Sequence, residues 1–184
     1  MLALMPTVPL SNGKVTLRQW READASFYVR AIIDPEIQRW TTERPDLTED
    51  AAREAILRHL VQPTNISLAI TDRATGGLAG NIAMVSADWA SGIAEVMYWL
   101  DAHWRGRGFS SAALRLVCDW TFRTLGLWRI ELVMDPGNLP SRRTARAAGF
   151  RPDGTAPARK AGGPELVRYA LVREPHQVVP VAHE

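Results

Sequence analysis

Apolar residues alternate with polar ones in some stretches of the chain and recur every three or four positions in others. Lys14–Trp20 alternates, with Val15, Leu17 and Gln19 opposite Thr16, Arg18 and Trp20, and predicts a short strand. The alanine-rich stretch 21–33 predicts a helix, ended by Asp34-Pro35 because the residue before a proline is driven out of the helical region. Pro35 to Thr48 has no clean period. Thr48 reads as a helix cap without the full capping box, since Ala51 rather than a glutamate stands three residues on. Ala52, Ala55, Ile56 and Leu60 share one face of the helix it opens, which stops before Pro63. Two apolar strands, 65–72 and 78–87, flank the hairpin signal Arg73–Gly77, and 93–100 follows the turn 88–92 as the third strand of a meander.

Helix 107–125 carries Leu114, Val117, Cys118, Thr121 and Leu125 at helical spacing and stops at Gly126. A strand at 128–135, a short helix at 141–148 closed by Gly149, and strands at 150–156 and 165–173 complete the order β-α-α-β-β-β-α-β-α-β-β. Such an order predicts an α/β domain whose mixed, mostly antiparallel central sheet has flanking helices. Residues 10–174 form this single domain and 175–184 a loose tail. Val178, Val179 and Val181 give the tail a second reading, as cover for a sheet edge or as a subunit contact in a homodimer.

Composition narrows the classes. The 184 residues, 46% apolar and 23% charged, suffice for one core and are too balanced for a disordered or fibrous chain. Cys118 is the sole cysteine, which excludes an internal disulfide and a multi-cysteine zinc site; the four histidines have no ligand spacing, so no metal is expected. The net charge is +2 and no five like charges run together, which argues against a nucleic-acid partner. Of the 22 basic residues only Lys14 and Lys160 are lysines, and arginine's planar fork suits phosphate or carboxylate. Met1–Met5 is apolar but ends at Pro6 without the basic flank of a signal peptide, and no stretch reaches the roughly 18 apolar residues of a membrane span. A cytoplasmic protein with no membrane partner is the expectation.

The chemistry concentrates in His103-Trp-Arg-Gly-Arg-Gly-Phe-Ser-Ser111, which follows a strand and opens a helix. Gly106 and Gly108 let the backbone approach a ligand, the first amides of the helix point at it, and Arg105 and Arg107 add two cationic forks. Together these suit a diphosphate; a plain strand-to-helix turn with solvated arginines is the competing reading. Neither the dinucleotide fingerprint nor the P-loop pattern is present.

Four segments in order, A-E-V-M-Y-W-L from Ala94, W-R-G-R-G-F-S-S-A-A-L from Trp104, L-G-L-W-R-I-E-L from Leu125 and D-P-G-N-L-P-S-R-R-T-A-R-A-A-G-F-R from Asp135, closely resemble the GCN5-related N-acetyltransferase (GNAT) family. The branch they resemble contains the ribosomal-protein N-terminal acetyltransferases. The resemblance implies the acyl-CoA N-acyltransferase fold, acetyl-CoA as co-substrate, and transfer to a primary amine. A protein or peptide N-terminal α-amine is the leading acceptor. An antibiotic or small-metabolite amine and a non-catalytic acyl-CoA sensor stay open beside it.

The family's Arg/Gln-x-x-Gly-x-Gly/Ala motif falls on Arg105, Gly108 and Ser110, with serine in the last place. The resemblance implies that amides over 105–110, Phe109 and Ser110 included, wrap the pyrophosphate. It also implies that the strand carrying Met97 and Trp99 pairs with the pantetheine amides, where it splays from the strand at 128–135. Asn138 matches an asparagine that bonds the cofactor, its local alternative being a turn or helix cap. Arg142, Arg143 and Arg146 follow on the same short helix; one or more of them, Arg143 first, is the candidate ribose-phosphate contact, and facing water is the competing reading for each. Ser141 matches a position near the cofactor sulfur and is the candidate proton or hydrogen-bond donor, since Ala145 stands where some relatives carry a tyrosine acid. Glu95 is the candidate base. It shares a strand face with Met97 and Trp99, and apolar neighbours would push a carboxylate toward useful basicity; binding an arginine is its structural alternative. An N–H from 97–99 would serve the oxyanion. Trp40 and Trp89 are the candidate aromatic wall of the acceptor pocket, or ordinary half-buried packing.

Overall fold

A computed structural model describes residues 6–61, 65–159 and 162–173. The alternation read from Lys14 onward is a strand because Val15 and Leu17 are wholly buried under one face of a sheet while Thr16 and Arg18 are half-exposed. That sheet has eight strands: β1 (Leu10–Ser11), β2 (Val15–Gln19), β3 (Ile66–Asp72), β4 (Leu78–Asp88), β5 (Ile93–Leu100), β6 (Arg129–Met134), β7 (Arg151–Ala156) and β8 (Leu166–Val172). Their spatial order is β1-β2-β3-β4-β5-β6-β8-β7, and every pairing is antiparallel except β5 with β6. A parallel pair needs a crossover, and α4 (Phe109–Trp120), prolonged by a π-helical turn over Thr121–Leu125, supplies it.

The two faces of the sheet bury different sets. On one, Val15, Leu17, Ile70, Ile82 and Val96 pack against Ala112, Ala113, Leu114 and Val117 of α4 and Ala145 of α5 (Leu139–Ala147). On the other, Ala69 and Trp99 meet Trp20, Ala31, Ile32 and Ile37 from α1 (Ala25–Ile32) and α2 (Pro35–Trp40), with Ile56 of α3 (Glu49–Val61) at the margin. β5 shows the period-2 rule directly, sending Val96 and Leu100 to the α4 side and Met97 and Trp99 to the α1 side.

Two elements depart from the reading of the sequence. Pro35 ends one helix and begins another: Asp34 caps α2 by accepting from the amides of Glu36 (2.9 Å) and Ile37 (3.2 Å), and proline at the first helical position costs no hydrogen bond. β1 is two residues long and carries no periodicity to read. The Thr48 cap is present, Thr48 Oγ1 accepting from the Ala51 amide at 3.2 Å. Pro63 and the tail 175–184 lie outside the described residues. Among the described residues no helix is long and apolar enough to cross a membrane.

Candidate active site

β5 and β6 pair only over Ile93–Glu95 with Arg129–Glu131. Beyond that the two strands part, and the edge of β5 from Val96 onward faces a gap. Opposite Glu95 and Val96, β4 carries a bulge at Val85 between Met84 and Ser86, which twists the sheet where the gap begins. Two cavities open there. The larger, about 520 Å³, runs from the gap to the start of α4 and is lined by Trp99, Leu100, Arg105, Gly106, Gly108, Phe109, Ser110 and Arg143 among others. The smaller, about 270 Å³, lies across β5 and β6 and is lined by Arg39, Thr42, Val85, Met97, Val133, Asp135 and Arg159 among others. Trp40, Thr41, Tyr98, Asn138 and Ser141 border both and mark their junction.

The loop into α4 is built for close approach. Gly106 and Gly108 have φ of +74° and +76°, the left-handed region, and a Cβ on Gly106 would meet nothing within 4 Å. The first helical hydrogen bond runs from the Ala112 amide to the Gly108 carbonyl (3.1 Å), which leaves the amides of Phe109, Ser110 and Ser111 unclaimed by the helix. An open concavity with three free donors and the positive end of a twelve-residue helix fits a diphosphate. Lys14, which carries no motif of its own, clamps the loop by donating Nζ to the Arg107 carbonyl at 2.8 Å.

The arginines divide differently from the expectation. Arg105 borders the larger cavity, but its guanidinium is a strut: NH2 binds Asp34 at 2.7 Å and Nε donates to the Leu100 carbonyl at 3.0 Å. Desolvation alone would raise the Asp34 carboxyl, yet Arg105 and the Ile37 and Glu36 amides outweigh it and hold the carboxyl below its ordinary value. The strut is therefore charged across the neutral range and ties the loop to the cap of α2. Arg107 lies over the Trp104 ring, 5.6 Å from its centroid, and borders neither cavity. Of the three arginines on α5, Arg143 borders the larger cavity, Arg142 donates to Tyr169 Oη and the Pro136 carbonyl, and Arg146 covers the Tyr169 ring.

Asn138 takes its local alternative as far as Oδ1 is concerned, which caps α5 by accepting from the Ser141 amide at 3.1 Å; its side chain still borders both cavities. Ser141 Oγ lies 2.9 Å from Tyr98 Oη. Burial pushes the Tyr98 phenol above its ordinary value, against hydrogen bonds to Ser141 and Thr144 that pull the other way. Met97 borders the smaller cavity and Trp99 the larger, the Trp99 indole donating to Glu43 at 2.9 Å.

On the acceptor side Glu95 shares its face with Met97, but its surroundings are ionic rather than apolar. Arg159, from the loop after β7, pairs with the Glu95 carboxylate and also donates to the Val133 carbonyl, so that Arg159 and not Glu95 borders the smaller cavity. A tryptophan wall forms only in part. Trp40 is at the junction, its indole bound to Glu36 at 2.9 Å and its ring under the Arg39 guanidinium, whereas Trp89 is 50% exposed in the β4–β5 turn and borders neither cavity. Cys118 is buried in α4, and burial, followed by the neighbouring Asp119, pushes its thiol up, as expected of a packing residue.

Comparison with known proteins bears on the family and the fold. Residues 14–151 match the acetyltransferase (GNAT) domain family. The uncharacterized N-acetyltransferase p20 of Bacillus licheniformis is 28% identical over 150 residues, covering 79% of this chain and 83% of that protein. Among solved structures, the ribosomal-protein-S5-alanine acetyltransferase of Vibrio fischeri superposes with a TM-score of 0.77 at 18% identity, covering 91% of this chain and 97% of that one. The spermidine N-acetyltransferase of Vibrio cholerae, in complex with CoA and spermine, superposes at 0.76 with 19% identity, covering 89% and 98%.

Proposed function

As a member of the GNAT family, to which the chain belongs, the protein moves an acetyl group from acetyl-CoA to an amine, and we propose that this amine is the α-amine at the N-terminus of a peptide or protein. The observation that carries the proposal is the pairing of Glu95 with Arg159. An acceptor must present a neutral nitrogen. For an α-amine, pKa about 7.7–8.0, that costs about 1 kcal/mol at pH 7; for a lysine amine, near 10.4, it costs about 4.6 kcal/mol. Glu95 is engaged by Arg159 and does not border the smaller cavity, so the site favours an acceptor that brings a largely neutral nitrogen of its own, the first kind rather than the second.

When bound, acetyl-CoA supplies the thioester carbonyl that the amine attacks. The chain's residues hold and polarise it. The amides of Phe109, Ser110 and Ser111 with Arg143 bind the phosphate end, the free edge of β5 around Met97–Trp99 receives the pantetheine arm, and an amide of that edge faces the developing oxyanion, a donor worth roughly 2.7–4 kcal/mol when pre-set. Ser141 faces the sulfur. Arg159, held by Glu95, and Trp40 border the acceptor's approach.

A thiol-release assay with acetyl-CoA tests the reading. At pH 7 a peptide with a free N-terminus is expected to exceed an N-terminally blocked lysine peptide and a polyamine by roughly 100-fold or more in kcat/KM, from the difference in free-base fraction. Equal or faster turnover of the lysine peptide or the polyamine overturns the proposal. Glu95→Gln, which drops the charge holding Arg159, is expected to lower turnover severalfold with acetyl-CoA affinity unchanged; equal losses in both would move Glu95 to the cofactor.

A further inference from the structure

Tyr98 is the one polar residue on the α4-facing side of β5, where Ala94, Val96 and Leu100 are buried. A hydroxyl in such a place needs a partner, and it has two on α5: Ser141 Oγ at 2.9 Å, in a first turn pinned by the Asn138 cap, and the Thr144 hydroxyl, which can donate to the phenol oxygen and leave the phenol hydrogen for Ser141. Tyr98 and Ser141 both stand at the junction of the two cavities, where a thioester reached from the cofactor side meets an amine from the other. A serine hydroxyl has one hydrogen to give and two lone pairs to fill. If the phenol donates to Ser141, the serine hydrogen is released from local bonding and turns to the junction.

We propose that Tyr98 is a positioning residue for acetyl transfer: its O–H donates to Ser141 Oγ, aims the serine hydrogen at the leaving sulfur, and strengthens it as a hydrogen-bond donor. This rests on the acetyl-transfer reading of the site. The pair acts without surrendering a proton. A free phenol titrates near 10 and a free thiol near 8.5, so a phenol proton passed to a thiolate would run uphill, and burial of Tyr98 steepens that climb. The balance closes otherwise. The amine lone pair forms the N–C bond, the C–S bond breaks with its electron pair on sulfur, and the proton that nitrogen sheds ends on sulfur through solvent. Between breaking and protonation the sulfur is an anion, and the Ser141 hydrogen, polarised by Tyr98, stabilises it.

Tyr98→Phe keeps the ring and its packing and removes only the hydroxyl. The first measurement needs no turnover: CoA itself is titrated in complex with the protein, following thiolate absorbance. The native chain is expected to lower the pKa of the bound thiol by roughly one unit relative to free CoA, and both Tyr98→Phe and Ser141→Ala to return it, because donors to the charged form favour that form. The second is thiol release with whichever amine turns over. Tyr98→Phe is expected to reduce kcat roughly tenfold with acetyl-CoA affinity unchanged, and Tyr98→Phe/Ser141→Ala to be no slower than Ser141→Ala alone, since members of one unit are non-additive. An unaltered thiol pKa in Tyr98→Phe, or a double variant that loses the product of the two single losses, overturns the proposal. Absence of turnover by the native chain with every amine would remove the transfer reaction itself, whereas native turnover with an unimpaired Tyr98→Phe removes only the role of Tyr98.

Discussion

Valine in place of both Gly106 and Gly108 is expected to raise the dissociation constant of acetyl-CoA by roughly 100-fold. Both residues have left-handed backbone, with φ of +74° and +76°. For an L-residue that region costs about 1–2 kcal/mol, and a β-branched side chain tolerates it worse than most. Two such positions store about 2–4 kcal/mol. The loop either keeps its shape at that cost or relaxes by turning the peptide planes that aim the amides at the start of α4. Space does not cause the loss, because a Cβ at Gly106 meets nothing within 4 Å and one at Gly108 is in ordinary contact with Lys14 Nζ at 3.6 Å and Ser111 Oγ at 3.9 Å. The loss therefore belongs to the loop's conformation and should appear in titration calorimetry with acetyl-CoA. Gly13→Ala, at a glycine with neither positive φ nor a close neighbour, is the control expected to bind normally. Unchanged affinity in the double variant would mean that the diphosphate is not held by this loop.

These two glycines were legible in the sequence as a strand-to-helix turn, and it is the run of four family-like segments around them, not the glycines alone, that favours a diphosphate over solvated arginines. The larger elements were legible from the way they are buried. α4 buries one face, so that its apolar residues repeat at about 3.6 positions, and β5 is covered on both faces and reads as a nearly continuous apolar run broken by Glu95. What escaped has in common that it depends on partners distant in the chain. Arg105 reads as a phosphate fork until α2 brings Asp34 beside it, 71 residues away. Glu95 reads as a carboxylate among apolar neighbours because its neighbours in sequence are apolar; Arg159 arrives from the loop after β7, 64 residues on. Trp89 reads as a wall, yet a turn that points away from the cavities leaves it exposed. α2 escaped for a local reason, because Pro35 signals both a stop and a start and its six residues are too few to show a period. Tyr98 carried a signal that went unused. A tyrosine within a strand face that is otherwise aliphatic buries a hydroxyl, and a buried hydroxyl requires a partner close to whatever that strand borders.

Gly80→Ala is expected to destabilise the protein by about 3 kcal/mol, at the upper end of what overpacking costs, which for a chain of this length lowers Tm by roughly 6–12 °C. The residue lies in β4 between Ile70 of β3 and Leu100 of β5, beside a register shift at Ile70/Thr71. A Cβ there would collide with the Trp99 carbonyl oxygen and stand 2.9 Å from Leu100 Cα, and because both are main-chain atoms no side-chain rotation relieves the overlap. β5 must move. The segment that moves, Trp99–Leu100, borders the larger cavity and leads into the Arg105 strut through the Leu100 carbonyl. Stability and cofactor affinity should therefore fall together in Gly80→Ala, whereas in the Gly106/Gly108 double variant affinity should fall much further than the core loosens. Thermal melts with and without saturating acetyl-CoA separate the two. With acetyl-CoA at about 100 times the native dissociation constant, the stabilisation by ligand is expected to shrink in Gly80→Ala in step with a lowered unliganded Tm. In the double variant it is expected to fall from about 2.7 to about 0.4 kcal/mol, while the unliganded Tm drops by no more than the strain its loop retains. A Gly80→Ala protein with native Tm would show that β4 and β5 are less closely apposed at Trp99 than the structure has them, and the free edge of β5 would then no longer be held in place from that side.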